Sequence, residues 1–182
     1  RIGEMTAAEV ADARVSGTDG AEHPIPLMSD LFEAFPDARF NIDAKSDESI
    51  EPLATLITEI GALDRVCLAS FELKRLRRLR SLLGPGLLTN MSPAEVVSLR
   101  TLGRLPGRAK RAAQVPVKAG AVTVVNKRFV LSAHLSEIPV HVWTINERSE
   151  MERLLDLGVD GIMTDETQLV RDVFVARSLW PS

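Results

Sequence analysis

The 182-residue sequence contains a single cysteine, Cys67. No disulfide can form within the chain, and no cluster of cysteines can hold a metal. Cys67 lies in the apolar run Val66-Cys67-Leu68-Ala69, where a buried structural thiol is expected rather than a nucleophile. Long hydrophobic runs are missing as well. No stretch approaches the ~18 continuous apolar residues of a membrane span, so none is expected. No signal-peptide pattern is visible, and a cytoplasmic location is the expectation. No strand-like segment is followed by Gly-x-Gly-x-x-Gly or Gly-x-x-x-x-Gly-Lys, which removes the usual phosphate cradles of nucleotide-binding folds. The formal charge of −3 provides no broad positive field, so no nucleic-acid partner is expected. The one dense basic stretch is Lys74-Arg75-Leu76-Arg77-Arg78-Leu79-Arg80. Its leucines recur at helical spacing, which reads as a solvated helix face, with a phosphate or lipid-surface patch as the alternative.

What is present is an ordinary globular balance, 45% hydrophobic and 26% charged. Thr6 and Glu9 form a capping-box pattern that opens a short helix. Residues 15–26 are rich in Gly, Asp, Ser and Pro and read as a loop, followed by a helix over 27–35. From Phe40 onward, strand patterns alternate with helix patterns. Strands are expected at 39–45, 66–71, 87–90, 113–116, 140–145 and 161–164. Helices are expected at 50–60, 73–83, from Ser92 onward, and at 127–135, 147–157 and 166–176. Strands spaced by helices imply right-handed crossovers and a parallel sheet, a pattern that both barrels and doubly wound sheets fit. A complete eight-fold barrel typically takes about 250 residues, so this chain is short of one by roughly two strand–helix units.

In a parallel barrel the working groups come from the C-terminal strand ends. Asn41, Asp43 and Lys45 share one strand face, with Phe40, Ile42 and Ala44 on the other. Three polar side chains inside a barrel are costly unless they bind each other, a metal or a substrate. Asp43 could offer hard oxygen to Mg²⁺ or Ca²⁺, and Lys45 could neutralise a phosphate oxygen. A buried Asp–Lys pair closing the strand end, or an exposed strand edge, is the other reading. Trp143 reads either as a pocket wall or as core. Asn146 is expected to cap the next helix, with Ser149 at the third position. Asp165 with Gln168 is expected to form a capping box rather than to bind metal. Ser70 has no evident base, so a serine nucleophile is poorly supported. His23, His134 and His141 lack the Arg or Asp neighbour of an oriented acid–base group and are expected to be structural or exposed.

Taken together, these segments resemble one known family. They are Ile25-Pro26-Leu27, Phe40-Asn41-Ile42-Asp43-Ala44-Lys45, Ala69-Ser70-Phe71, Val142-Trp143-Thr144-Ile145-Asn146 and Gly158-Val159-Asp160-Gly161-Ile162-Met163-Thr164-Asp165. In that order and spacing they resemble the glycerophosphodiester phosphodiesterases over nearly the whole chain. The resemblance implies a TIM-type (β/α)8 barrel of the PLC-like phosphodiesterase kind, here incomplete, with about six parallel strands. It implies hydrolysis of glycerophosphodiesters to glycerol 3-phosphate and an alcohol, with a divalent metal, Mg²⁺ or Ca²⁺, held by three carboxylates. Asp43 falls at the third ligand position, most often Glu in the family. Lys45 matches the lysine that contacts substrate phosphate, and Trp143 matches a residue of the pocket wall.

The family's His-Arg, Glu-x-Asp and His-Asp motifs do not occur in this sequence, so no catalytic acid or base is assigned in the chain. Arg1-Ile2-Gly3-Glu4-Met5-Thr6 resembles the segment that follows the second of those histidines. The expectation is therefore a single barrel domain over 1–182 that lacks its first two strands and is inactive alone, the activity belonging to a full-length parent. A non-catalytic barrel remnant acting as a binding or interaction module is the alternative, and a phospholipase D-like toxin of similar barrel is a third. Exposed sheet edges would favour association, including a homo-oligomer.

Overall fold

The computed structural model describes residues 2–17, 20–105, 107 and 109–180. They fall into two compact units, residues 1–39 and 40–182.

The first unit opens with a one-turn 3-10 helix, Ile2–Glu4, and α1, Ala7–Asp12. The capping box at its start forms as expected: the Thr6 hydroxyl accepts from the Glu9 amide, and the Glu9 carboxylate accepts from the Thr6 amide at 2.7 Å. Residues 15–26 are not wholly a loop. β1 (Arg14–Ser16) and β2 (Glu22–Pro24) pair antiparallel, with Val15 opposite His23. Their strands are only three residues long and exposed, so no apolar alternation marks them in the sequence. α2, Met28–Ala34, follows and buries Phe32.

The second unit carries the six expected parallel strands. They are β3 (Phe40–Asp43), β4 (Val66–Ala69), β5 (Leu88–Asn90), β6 (Arg111–Pro116), β9 (Val140–Trp143) and β10 (Gly161–Ile162). They hydrogen-bond in the order β10-β9-β6-β5-β4-β3 and curl into a half-barrel. Between β6 and β9 lies a hairpin absent from the sequence reading, β7 (Lys118–Ala119) with β8 (Val122–Thr123). The helices are α3 (Ile50–Ile60), α4 (Leu73–Leu83), α5 (Pro93–Leu102), α6 (Lys127–His134), α7 (Arg148–Leu157) and α8 (Thr167–Ala176). α3 and α4 span the residues that apolar periodicity marks. α3 ends at Gly61, whose φ of 68° is the left-handed conformation glycine adopts without a Cβ penalty.

The core lies between the outer face of the sheet and the helices. Ala113 and Val115 of β6, and Val140 and Val142 of β9, pack with Phe129, Met151 and Leu154. The basic stretch on α4 divides its work. Leu76 and Leu79 are fully buried. Lys74 and Arg75 pair with Asp47, and Arg78 with Glu51. Arg80 instead turns inward to the hydroxyl of buried Thr89 and lies 3.6 Å from Glu95. Glu95 also accepts from Arg111 at 2.8 Å and closes the Ser92 capping box. That partly buried cluster of one carboxylate and two guanidinium groups braces α4, α5 and β6 behind the sheet.

Candidate active site

The inner face of the half-barrel is polar in a row. The strand register sets Asn41 beside Cys67, and Gln114 beside His141 beside Gly161. Gln114, in the otherwise apolar segment Ala112-Ala113-Gln114-Val115, donates to Asn41 Oδ1 at 2.9 Å and to Cys67 Sγ at 3.5 Å. Burial pushes the Cys67 thiol up to about 11, and the Gln114 amide offsets only part of that. The thiol is therefore protonated and inert at neutral pH, as its apolar setting implies. Burial lowers the pKa of His141, and the charge of Asp160 opposes the shift. A Cβ on Gly161 would come within 2.8 Å of His141 Cδ2, so glycine is what allows the ring its place.

Above this row the strand ends open into a cavity of about 670 Å³. Asn41 and Asp43 line it, as their shared strand face predicts, together with Gln114 and Trp143. Lys45 stands beside Asp43, with Nζ 2.6 Å from Oδ2, and its side chain is 79% exposed. The Asp–Lys pair thus exists at an open strand end, not in a buried one. Trp143 meets Phe71 edge-on, ring centroids 6.3 Å apart, so its indole forms cavity wall. Ser70 is buried; its hydroxyl donates to the Ala44 carbonyl, and it accepts from the Glu72 amide. It is a structural bridge. Asn90 ties the same level, accepting from the Ser70 amide and donating to the Ser70 carbonyl.

Two expected caps are corrected. Glu147, not Asn146, precedes α7, and no side chain caps that helix. Asn146 instead accepts from the Thr164 hydroxyl and the Asp165 amide, and donates to the Asp165 carboxylate at 3.1 Å. Asp165 does not form a box with Gln168. Glu166 precedes α8, and Gln168 bonds to Asp172. Asn146 and Asp165 satisfy each other across neighbouring loops, and that competes with local capping. Of the remaining histidines, His23 lies in exposed β2, and His134, which has no acidic neighbour in sequence, pairs with Asp160 at 2.8 Å.

Among the described residues, no three His, Cys, Asp or Glu side chains gather to hold a metal. Asp43 supplies one carboxylate and Asn41 one amide oxygen at the cavity. Mg²⁺ and Ca²⁺ take about six or more oxygens, so these donors amount to part of a site and not a whole one. Likewise, no helix among the described residues is long and apolar enough to cross a membrane.

Six parallel strands with helices on the outer face and polar strand ends at a cavity define an α/β barrel-type enzyme scaffold. Residues 1–169 match the glycerophosphoryl diester phosphodiesterase family, and the chain belongs to it. A Mycobacterium tuberculosis protein named Probable glycerophosphodiester phosphodiesterase 2 is 36% identical over 169 residues, which cover 88% of this chain and 64% of that protein. The human lysophospholipase D GDPD1 is 25% identical over 197 residues, covering 90% and 61% respectively. The chain thus spans less than two thirds of either relative's length. The structure of an Oleispira antarctica phosphodiesterase in complex with the product sn-glycerol-3-phosphate superposes with a TM-score of 0.69 at 16% identity, over 96% of this chain and 72% of that one. At that identity the likeness speaks for the fold.

Proposed function

We propose that the protein hydrolyses glycerophosphodiesters to glycerol 3-phosphate and an alcohol. The observation that carries this reading is the strand end where Asn41 and Asp43 line the cavity, with Lys45 just beyond it paired to Asp43, in a chain that belongs to the phosphodiesterase family. A divalent cation, Mg²⁺ or Ca²⁺, supplies Lewis-acid polarisation of the phosphoryl oxygen when bound. Asp43 is assigned as one of its ligands, in a set that the described residues alone do not complete. Lys45 is assigned to the phosphate. Its exposed ammonium can leave Asp43 for a phosphoryl oxygen and offset the charge that builds there in the transition state. Trp143 presents an aromatic wall that orients the substrate and excludes water. Residues 1–182 are read as part of a single barrel domain of this enzyme.

The test uses the intact protein with glycerophosphocholine and either metal. Lys45→Ala is expected to lower kcat/KM by about 10²–10³, the usual cost of one charge-stabilising group. Its melting temperature should hold, because an exposed ion pair contributes ~0–1 kcal/mol. Asp43→Asn is expected to weaken Mg²⁺ or Ca²⁺ binding in calorimetry. A Lys45→Ala rate within twofold of wild type refutes its role. No hydrolysis by the wild-type protein refutes the activity and leaves a binding module in its place.

A further inference from the structure

Three partly buried arginines of the second unit hold carboxylates: Arg75 meets Asp47, and Arg80 and Arg111 share Glu95. Arg100 is also partly buried and lines the cavity, yet it has no hydrogen-bond or ion-pair partner among the described residues. It sits in the last turn of α5, where a cation can rest on the free carbonyls of its own helix. Arg14 does this after α1, donating to the carbonyls of Ala11 and Ala13 at 2.8 and 2.9 Å. Arg100 makes no such bond. Its spacing aims it at the cavity instead. Pro93, Val96, Val97 and Arg100 stand at i, i+3, i+4 and i+7 on one helix face, and all four line the cavity. Leu99 is fully buried in the core on the other side. Met91 and Val122 add apolar lining to the same cavity. A guanidinium in such surroundings loses hydration without compensation, a cost that an anion on a ligand removes. Asp43 is the one carboxylate among the described lining residues, and Lys45 already holds it.

Resting on the phosphodiesterase reading, we propose that Arg100 determines specificity: it binds an anionic group on the alcohol part of the diester, so that anionic alcohols are preferred to cationic ones. Different elements read the two parts of the substrate. Asp43 and Lys45 belong to β3 and its end, whereas α5 follows β5, two strands further along the sheet. With the phosphoryl group at the β3 end, Arg100 is left for the portion that does not react. A contact with a non-reacting group is made in the ground state as well as in the transition state, so it acts on KM more than on kcat. An ammonium in the same place meets a like charge beside apolar walls that screen it little, and that repulsion adds to the discrimination.

The test measures kcat and KM of the intact protein, with Mg²⁺ or Ca²⁺, on three diesters of nearly equal size. Glycerophosphoethanolamine has a cationic alcohol, the glycerophosphodiester of ethylene glycol a neutral one, and that of glycolate an anionic one. The value of kcat/KM is expected to rise in that order, by about tenfold from first to last, the usual worth of one hydrogen bond to a charged group. Arg100→Gln should abolish most of that ratio through KM. Arg100→Lys keeps the charge and should retain most of it. Arg100→Glu should reverse the order, and either folded variant, Gln or Glu, decides the role. Arg104→Gln removes the same charge at an exposed position outside the lining and should leave the ratio unchanged. Equal kcat/KM on all three diesters in the wild type overturns the inference and leaves the proposed function standing. So does a preference that persists in a folded Arg100→Gln or Arg100→Glu variant. Hydrolysis of none of the three overturns both.

Discussion

Glu95→Gln is the sharpest probe of how this fold is held. The substitution keeps the volume and removes one charge from a cluster in which the side chains of Glu95, Arg80 and Arg111 are 15%, 17% and 10% exposed. Removing one partner of a buried ion pair costs about 3–5 kcal/mol, because the remaining charge stays desolvated and uncompensated. Here two guanidinium groups lose their shared acceptor, and their residual exposure places the loss near the lower figure. A penalty of ~3 kcal/mol in a chain of this size shifts the melting temperature by roughly 6–12 °C. The acid limb gives an independent sign. Burial alone would raise the Glu95 pKa, but the Ser92 amide, Arg111 and Arg80 outweigh it and hold it below the ordinary carboxylate value. A depressed folded-state pKa contributes stability above the unfolded value. That contribution is lost as pH falls from about 4.5 through the folded pKa. Thermal melts from pH 7 to pH 3 should therefore show the wild type converging on Glu95→Gln at low pH. A difference below 2 °C at pH 7, or a constant difference down to pH 3, refutes the account.

Gly161→Ala should destabilise the protein by about 1–3 kcal/mol in denaturant titration, because the new methyl would lie 2.8 Å from His141 Cδ2 and 3.3 Å from Cγ, so the ring or the strand must shift. The melting temperature of the double variant Gly161→Ala/His141→Ala should recover much of that loss. Cys67 should react slowly with a thiol reagent at pH 8, since burial and a pKa of about 11 leave little thiolate; labelling as fast as a free thiol would contradict both.

Local signals carried much of the fold. Helices α3 and α4, the capping boxes at Thr6 and Ser92 and all six parallel strands follow from periodicity and end signals that act within one turn or one strand. The alternation at Asn41 and Asp43 likewise puts both on the cavity. What escaped the sequence is non-local. Gln114 meets Asn41 across 73 positions, and no spacing rule reaches that far. The available hint was a lone amide in a buried strand, at the depth where other strands carry polar groups. The Arg80–Glu95–Arg111 cluster was hidden for a related reason: Arg80 sits in a basic run in which Lys74, Arg77 and Arg78 face solvent. Asn146 and Asp165 match cap spacing well enough to mislead, because a cap and a loop-to-loop tie use the same short polar side chains.

The strand order has a consequence for how the chain assembles. In β10-β9-β6-β5-β4-β3, every parallel strand bonds to the parallel strand just before it in sequence. No strand must wait for a distant one: each closure spans one α-helix, with the β7–β8 hairpin added between β6 and β9, and because closure entropy grows only slowly with loop length its cost stays modest. During synthesis, each new strand–helix unit finds its docking edge already made. Assembly can proceed as stepwise accretion onto a growing template, and a fault in one unit leaves the earlier ones paired.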